Sequence, residues 1–234
     1  MRRTRLLWLA ALAVLAVVVA VQVVSTAGRT GSSAGTAPPT VRPGVDVLSG
    51  VAVVETRVRG DDYRRSAFGD AWDDENSAPG GHNGCDTRND ILERDLVDKT
   101  YVAITRCPRA VARGTLRDPY TNAALAFIRG DGVGASVQID HIVPLAYAWD
   151  MGARGWSDAL RKRFANDPAN LLAVDGQANQ DKGDQPPATW LPPNAAFRCQ
   201  YAMQFIAVLR GYGLPVDKPS ARELTAAAAA CPSG

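Results

Sequence analysis

Histidine is scarce in this sequence of 234 residues: His82 and His141 are the only two. Any metal site that needs three imidazoles is therefore excluded, and no H-E-x-x-H metalloprotease helix is present. A serine hydrolase would have to use one of these two rings in its triad, and there is no G-x-S-x-G elbow to carry a nucleophile. Lysine is nearly as rare, with Lys99, Lys162, Lys182 and Lys218 the only four among 26 basic residues. Against 24 acidic residues the formal charge is only +2. Arg2, Arg3 and Arg5 lie at the extreme N-terminus, and without them 23 basic residues face 24 acidic ones, about −1. This balance excludes a protein that coats polyanions by global charge; any nucleic-acid contact must come from a local patch. Repeats of a useful period are absent. Apart from an N-terminal linker, the only low-complexity tract is the alanine run 226–230.

What is present suits a globular domain. Apolar residues make up 46% of the chain and charged residues 21%, enough to bury a core. The length suits one domain, or one domain with a tail. After the three N-terminal arginines, Leu6 to Val24 is uncharged and apolar except for Gln22, and Ser25-Thr26-Ala27 then offers small residues. This is the order of an export signal over residues 1–27. The run is also long enough to span a bilayer, so an uncleaved anchor with its basic end inside is the second reading. Both place the rest of the chain outside the cytoplasm. Residues 28–44, rich in Gly, Ser, Thr and Pro, read as a flexible tether, which leaves 45–234 as the folded domain.

The cysteines agree with export. Cys85, Cys107, Cys199 and Cys231 contain no C-x-x-C pair, so neither a zinc ribbon nor a thioredoxin-like redox motif is built from them. In an oxidising compartment four widely spaced cysteines read as two disulfides. Three connectivities are open. We expect the sequential one, Cys85–Cys107 and Cys199–Cys231, tying a Gly-rich segment to the strand region and the final helix to the one before it.

Periodicity predicts an α+β domain with a small sheet. Helices are expected over 89–99, 145–151, 157–165, 194–210 and 220–230, and strands over 100–105, 110–116, 137–143 and 171–174. Asp175-Gly176 reads as a turn. In the longest helix Phe197, Tyr201, Phe205 and Leu209 fall on one stripe, which reads as core.

Chemistry is concentrated between residues 138 and 184. Gln138-Ile-Asp140-His141-Ile-Val-Pro144 places a carboxylate and an imidazole next to each other where proline stops a strand. On a regular strand the two would face opposite ways; at its end both can approach one substrate. Asn166-Asp-Pro-Ala-Asn170-Leu-Leu172 and Gly176-Gln-Ala-Asn179-Gln-Asp-Lys182-Gly-Asp184 follow. Asp140 and Asn179 are hard oxygen donors suited to Mg²⁺ or a similar divalent ion. A neutral His beside such an ion is placed to take a proton from water.

The succession D-H-I-V-P-L, P-x-N-L and N-x-x-K-G resembles the HNH endonucleases, whose site is a ββα-metal hairpin and helix. The nearer resemblance is to exported actinobacterial HNH-family proteins akin to the C-terminal nuclease domain of the modification-dependent GmrSD restriction enzymes. It extends to Gly81-His-Asn-Gly-Cys85-Asp-Thr-Arg88-Asn-Asp90, Asp118-Pro-Tyr-Thr121 and Trp190-Leu-Pro-Pro193, and so covers most of residues 60–210. The resemblance implies a ββα-metal core with additional helices and a small sheet. It makes Asp140 and Asn179 metal ligands, His141 the base for the attacking water, and Asn170 the residue that braces the loop carrying His141. Many members have a histidine where Asn179 stands, and asparagine there fits a one-metal Mg²⁺ site, with Mn²⁺ as the other candidate. The sequence departs from a compact hairpin in one respect: Asn170 lies 29 positions after His141.

The implied activity is hydrolysis of phosphodiester bonds in DNA, with RNA also open. Lys182 adds positive charge beside the scissile phosphate, or is a solvated surface lysine. Arg88 and His82 are candidate substrate contacts; for Arg88 the alternative is an ion pair with Asp90. Arg161-Lys162-Arg163 reads as a solvated helix face, or as a run that tracks a nucleic-acid backbone near the site. The competing function class is a non-catalytic, disulfide-stabilised extracellular binding module on the same scaffold. Nucleic acid is the one partner implied, the membrane enters only through the N-terminal segment, and no protein partner can be inferred.

Overall fold

A computed structural model of the chain describes residues 39–130 and 136–233. The expected export signal or anchor, and the tether as far as residue 38, lie outside the described residues. Among the described residues no helix is long and apolar enough to cross a membrane. They contain six α-helices and three small sheets, a mixed α+β protein.

Helix α1 (Thr87–Asp95) starts where the Asp86 side chain accepts a hydrogen bond from Asn89 N at 2.7 Å, and it buries Ile91 and Leu92. It ends earlier than helical periodicity predicts. Leu96 is already extended, because residues 96–104 form β2 (Leu96–Ile104), whose Leu96 and Val97 pair with Leu116 and Thr115 of β3 (Cys107–Arg117). Cross-strand pairing outweighs the local pattern here. The third strand of this antiparallel sheet, β4 (Ala124–Ile128), is one the sequence reading did not anticipate. A two-residue strand β1 (Val53–Val54) pairs in parallel with β7 (Val216–Asp217).

The pair that organises the site is β5 (Val137–His141) against β6 (Leu171–Asp175), antiparallel, with Val137 opposite Asp175 and His141 opposite Leu171. The connection between them carries α2 (Leu145–Asp150) and α3 (Asp158–Asn166), the latter capped by Ser157. Asp175-Gly176 is a helix start rather than the expected turn: the Asp175 carboxylate accepts from Ala178 N at 2.8 Å and opens α4 (Gly176–Lys182). Gly183, at φ 52°, ends it in a backbone conformation that favours glycine.

The two strands separate two apolar clusters. Val137, Ile139, Leu171 and Ala173 pack with Ile91, Leu92, Leu96 and Leu116 of the three-stranded sheet and α1. Val174 joins the larger cluster of α2, α3, α5 (Arg198–Tyr212) and α6 (Lys218–Ala228). There Tyr201, Phe205 and Leu209 are fully buried, as the stripe on α5 predicts.

Cys85 is bonded to Cys107 and Cys199 to Cys231, the sequential pairing expected. The closed loops span sequence separations of 22 and 32 residues. In the chain-entropy picture each is worth roughly 3–4 kcal/mol. Replacing Cys199 and Cys231 together by alanine should lower the urea midpoint by a corresponding amount. An unchanged midpoint would mean that this bridge does not constrain the unfolded chain.

Candidate active site at the end of strand β5

Side chains alternate along a strand, so Asp140 and His141 leave β5 on opposite faces. His141 follows Val137 and Ile139 toward the cluster on which Trp72 packs, and the Trp72 ring stacks on the imidazole at 5.5 Å between centroids and 12° between planes. Asp140 turns to the other side, among Tyr120, Trp190 and Lys182. Both residues nevertheless line one cavity of about 410 Å³, because β5 ends at His141.

His141 is 6% exposed. Its Nε2 lies 2.9 Å from the carbonyl oxygen of Ala165, at the end of α3. A carbonyl only accepts, so Nε2 carries the proton and Nδ1 keeps its lone pair. Burial pushes the imidazole pKa down to about 3; the Ala165 carbonyl opposes this, and the charges of Arg65 and Lys182 add to it. The ring is therefore neutral at any ordinary pH.

The Asp140 carboxylate is held by the fully buried Lys182, whose Nζ donates to Oδ1 at 2.9 Å and to Oδ2 at 2.6 Å. The same ammonium donates to the His141 carbonyl at 2.6 Å and lies 5.9 Å from the Trp190 ring centre, while the Tyr120 hydroxyl donates to Asp140 Oδ2. Burial draws the lysine below its usual pKa, and the Asp140 charge opposes that shift. Asp118 Oδ1 accepts from Asp175 N at 2.9 Å and steadies the far end of the strand pair. Segments D-P-Y-T and W-L-P-P thus converge on the strand pair and its buried ion pair.

Asn170 is fully buried. Its Oδ1 accepts from Val143 N at 2.8 Å, its Nδ2 donates to Val143 O at 3.3 Å, and its carbonyl accepts from Ile142 N, so it clamps the turn that follows His141. The 29-residue separation does not prevent this, since Leu171 pairs directly with His141. Asn179, on α4, donates through Nδ2 to Gln138 Oε1 at 2.8 Å and lines the 410 Å³ cavity.

Other candidates fall elsewhere. Lys182 is neither a solvated lysine nor a lining residue of the cleft; its ammonium is buried beneath the strand pair. Arg88 donates to the Val137 carbonyl at 3.0 Å, at the opposite end of β5 from His141. It forms no ion pair with Asp90, which accepts from Asn83 Nδ2 instead. His82 pairs through Nδ1 with Glu75 at the surface, 3.0 Å away. Conversely, Arg65 and Trp72 flank His141 and were not anticipated. They lie 76 and 69 positions upstream, outside every motif, and nothing local in the sequence marks them. Tyr120 did carry a signal, its place in D-P-Y-T.

A buried imidazole and a buried carboxylate thus meet at the end of one strand of a two-stranded sheet that a helix follows, in an α+β protein. The chain belongs to the family described as GmrSD restriction endonucleases, C-terminal domain, which matches residues 86–227. It is also similar to an uncharacterized secreted protein of Arthroderma benhamiae, 36% identical over 149 residues, covering 63% of this chain and 68% of that one. No solved structure matches the chain significantly.

HNH-type nucleases generally use a divalent metal, and the donors here allow a test of fit. Among the described residues no three His, Cys, Asp or Glu side chains form a metal-binding group, so a closed cage of the zinc kind does not fit. Two residues that carry hard oxygens, Asp140 and Asn179, line the cleft. Asp140 Oδ1 accepts one hydrogen bond, from Lys182, and has a further lone pair; Asn179 Oδ1 accepts none within the described residues. Such a pair fits an ion of the Mg²⁺ type, which keeps most of its shell as water and substrate oxygens.

Proposed function

We propose that the chain is an exported, metal-dependent endonuclease that hydrolyses phosphodiester bonds in DNA. In this reading β5, β6 and α4 are a ββα-metal core whose hairpin connection has been enlarged by α2 and α3. The observation that carries it is the state of His141: neutral, fixed in one tautomer by Ala165, with Nδ1 taking no hydrogen bond among the described residues in a ring that lines the cleft. Nδ1 accepts the proton of the attacking water. The negative charge of a bound phosphodiester favours the imidazolium that results and so offsets the burial that weakens the free base. Asn170 keeps the turn after His141 rigid, which holds the ring's position. Asp140 and Asn179 are the residues that would hold Mg²⁺ or Mn²⁺, and Lys182 orients Asp140 from below. When bound, the cation supplies positive charge to the non-bridging and leaving oxygens. The two disulfides and the secreted relative support a place outside the cytoplasm, with 1–27 as signal or anchor, 28–44 as tether and 45–234 as the nuclease domain.

One observation favours the alternative of a non-catalytic binding module: Asp140 is already neutralised by Lys182. Incubation with supercoiled plasmid decides between them. Nicking and linearisation are expected with Mg²⁺ or Mn²⁺ and none with EDTA; an intact plasmid under all conditions would favour the binding module. The pH profile adds a second reading. Because the free-enzyme imidazole titrates near 3 rather than at the usual ~6.5, kcat/KM should show no inflection between pH 6 and 7. An inflection there would mean that His141 is not held neutral by burial.

A further inference from the structure

The cleft beside His141 continues past the imidazole. A second cavity, of about 230 Å³, is lined by Trp72 and Ala165 and shares Arg65, His141 and Leu145 with the 410 Å³ cavity. Among the described residues Arg65 is thus the one cation that lines both cavities. It opens a short 3-10 turn, Arg65–Phe68, and Phe68 (1% exposed) anchors that turn between Trp149 and Phe164, each 6.2 Å away. The backbone that presents the guanidinium is therefore fixed.

The partners of Arg65 distinguish it from its neighbours. Arg57 pairs with Asp150 and Asp184, Arg59 with Asp184, Arg154 with Asp62 and Arg161 with Asp158. Arg65 is exposed and pairs with no carboxylate among the described residues; burial raises the Tyr63 hydroxyl above its ordinary pKa, and the nearby Arg65 charge opposes that shift. Among the described residues Asp184 and Asp70 are the acidic groups besides Asp140 that line the two cavities; neither forms an ion pair with Arg65, and Asp184 is already held by two arginines. A planar, permanently charged fork with open donors, held beside a neutral base, matches the geometry of a phosphodiester oxygen pair.

We infer that Arg65 seats a backbone phosphate of the nucleic-acid strand that runs past His141 through both cavities. This rests on the nuclease reading for the identity of the ligand. The residue comes from a segment N-terminal to the family match at 86–227, so the site is completed by a part of the chain to which the family match assigns no role.

The test is binding of a fluorescein-labelled DNA duplex in EDTA, where no cleavage intervenes, followed by anisotropy over a series of salt concentrations. Arg65→Ala should weaken binding about tenfold, the scale of one charge-assisted contact. It should also flatten the dependence of log K on log salt by about one, since one phosphate contact is gone. Arg65→Lys should restore the salt slope and part of the affinity, whereas Arg222→Ala, on the exposed side of α6, should match the unaltered protein. A salt slope and affinity unchanged in Arg65→Ala would overturn the inference, as would a protein that does not bind the duplex. The two readings fail separately. Arg65-dependent binding without plasmid cleavage sinks the nuclease and leaves the phosphate seat standing. Cleavage with an Arg65→Ala variant that binds and cuts normally sinks only the seat.

Discussion

His141→Ala is expected to remain folded and to lose DNA cleavage by a factor on the order of 10²–10⁴, the usual worth of a positioned general base. The ring is stacked on Trp72 and bonded to one carbonyl, so its removal opens a small cavity but leaves no charge unpaired. The Asp140 and Asn179 oxygens stay in place, so metal affinity should persist in a calorimetric titration. Asn179→Ala should by contrast weaken metal binding, with partial recovery of activity at higher metal, because a neutral oxygen contributes less than a carboxylate. An active His141→Ala protein would end the HNH mechanism proposed above.

The second large effect concerns stability. Lys182→Ala removes the cation from beneath a carboxylate whose side chain is only 6% exposed. Breaking one half of a buried ion pair typically costs 3–5 kcal/mol, because the other charge is left desolvated. In a domain of this size about 1 kcal/mol shifts the melting temperature by roughly 2–4 °C, so a fall on the order of 10 °C is expected by thermal melting. The paired change Asp140→Leu with Lys182→Met removes both charges at similar volume and should recover much of the loss while remaining inactive. If Lys182→Ala melts like the unaltered protein, the ammonium is not the buried partner described here.

The comparison of sequence and structure turns on particular residues. Asp140 and His141 were legible as a pair because Pro144 ends a β-branched run, and their opposite orientations followed from the two-residue repeat of a strand. Asn170 was legible only through resemblance; its clamp on Val143 depends on a pairing across a 29-residue connection. Lys182 was visible as a residue but not in its role. A lysine near the end of a short helix reads as solvated, and only the packing of Tyr120, Trp190 and β5 around it turns it into a buried counter-ion. Arg88 went the other way: a Gly-rich neighbourhood suggested a substrate contact, and the fold uses it to hold a strand carbonyl.

By itself the sequence determined the α+β class, the expectation of export, the even cysteine count suited to two bridges, and the short run that carries Asp140 and His141. These are local matters, set by periodicity, hydropathy and the chemistry of adjacent side chains. Tertiary structure alone decided three others: that burial and one carbonyl hold His141 as a neutral imidazole with its proton on Nε2, that Lys182 neutralises Asp140, and that Arg65 and Trp72 flank the ring from far upstream. Each depends on desolvation or on contacts between segments tens of residues apart, and neither quantity has a value until the chain has folded.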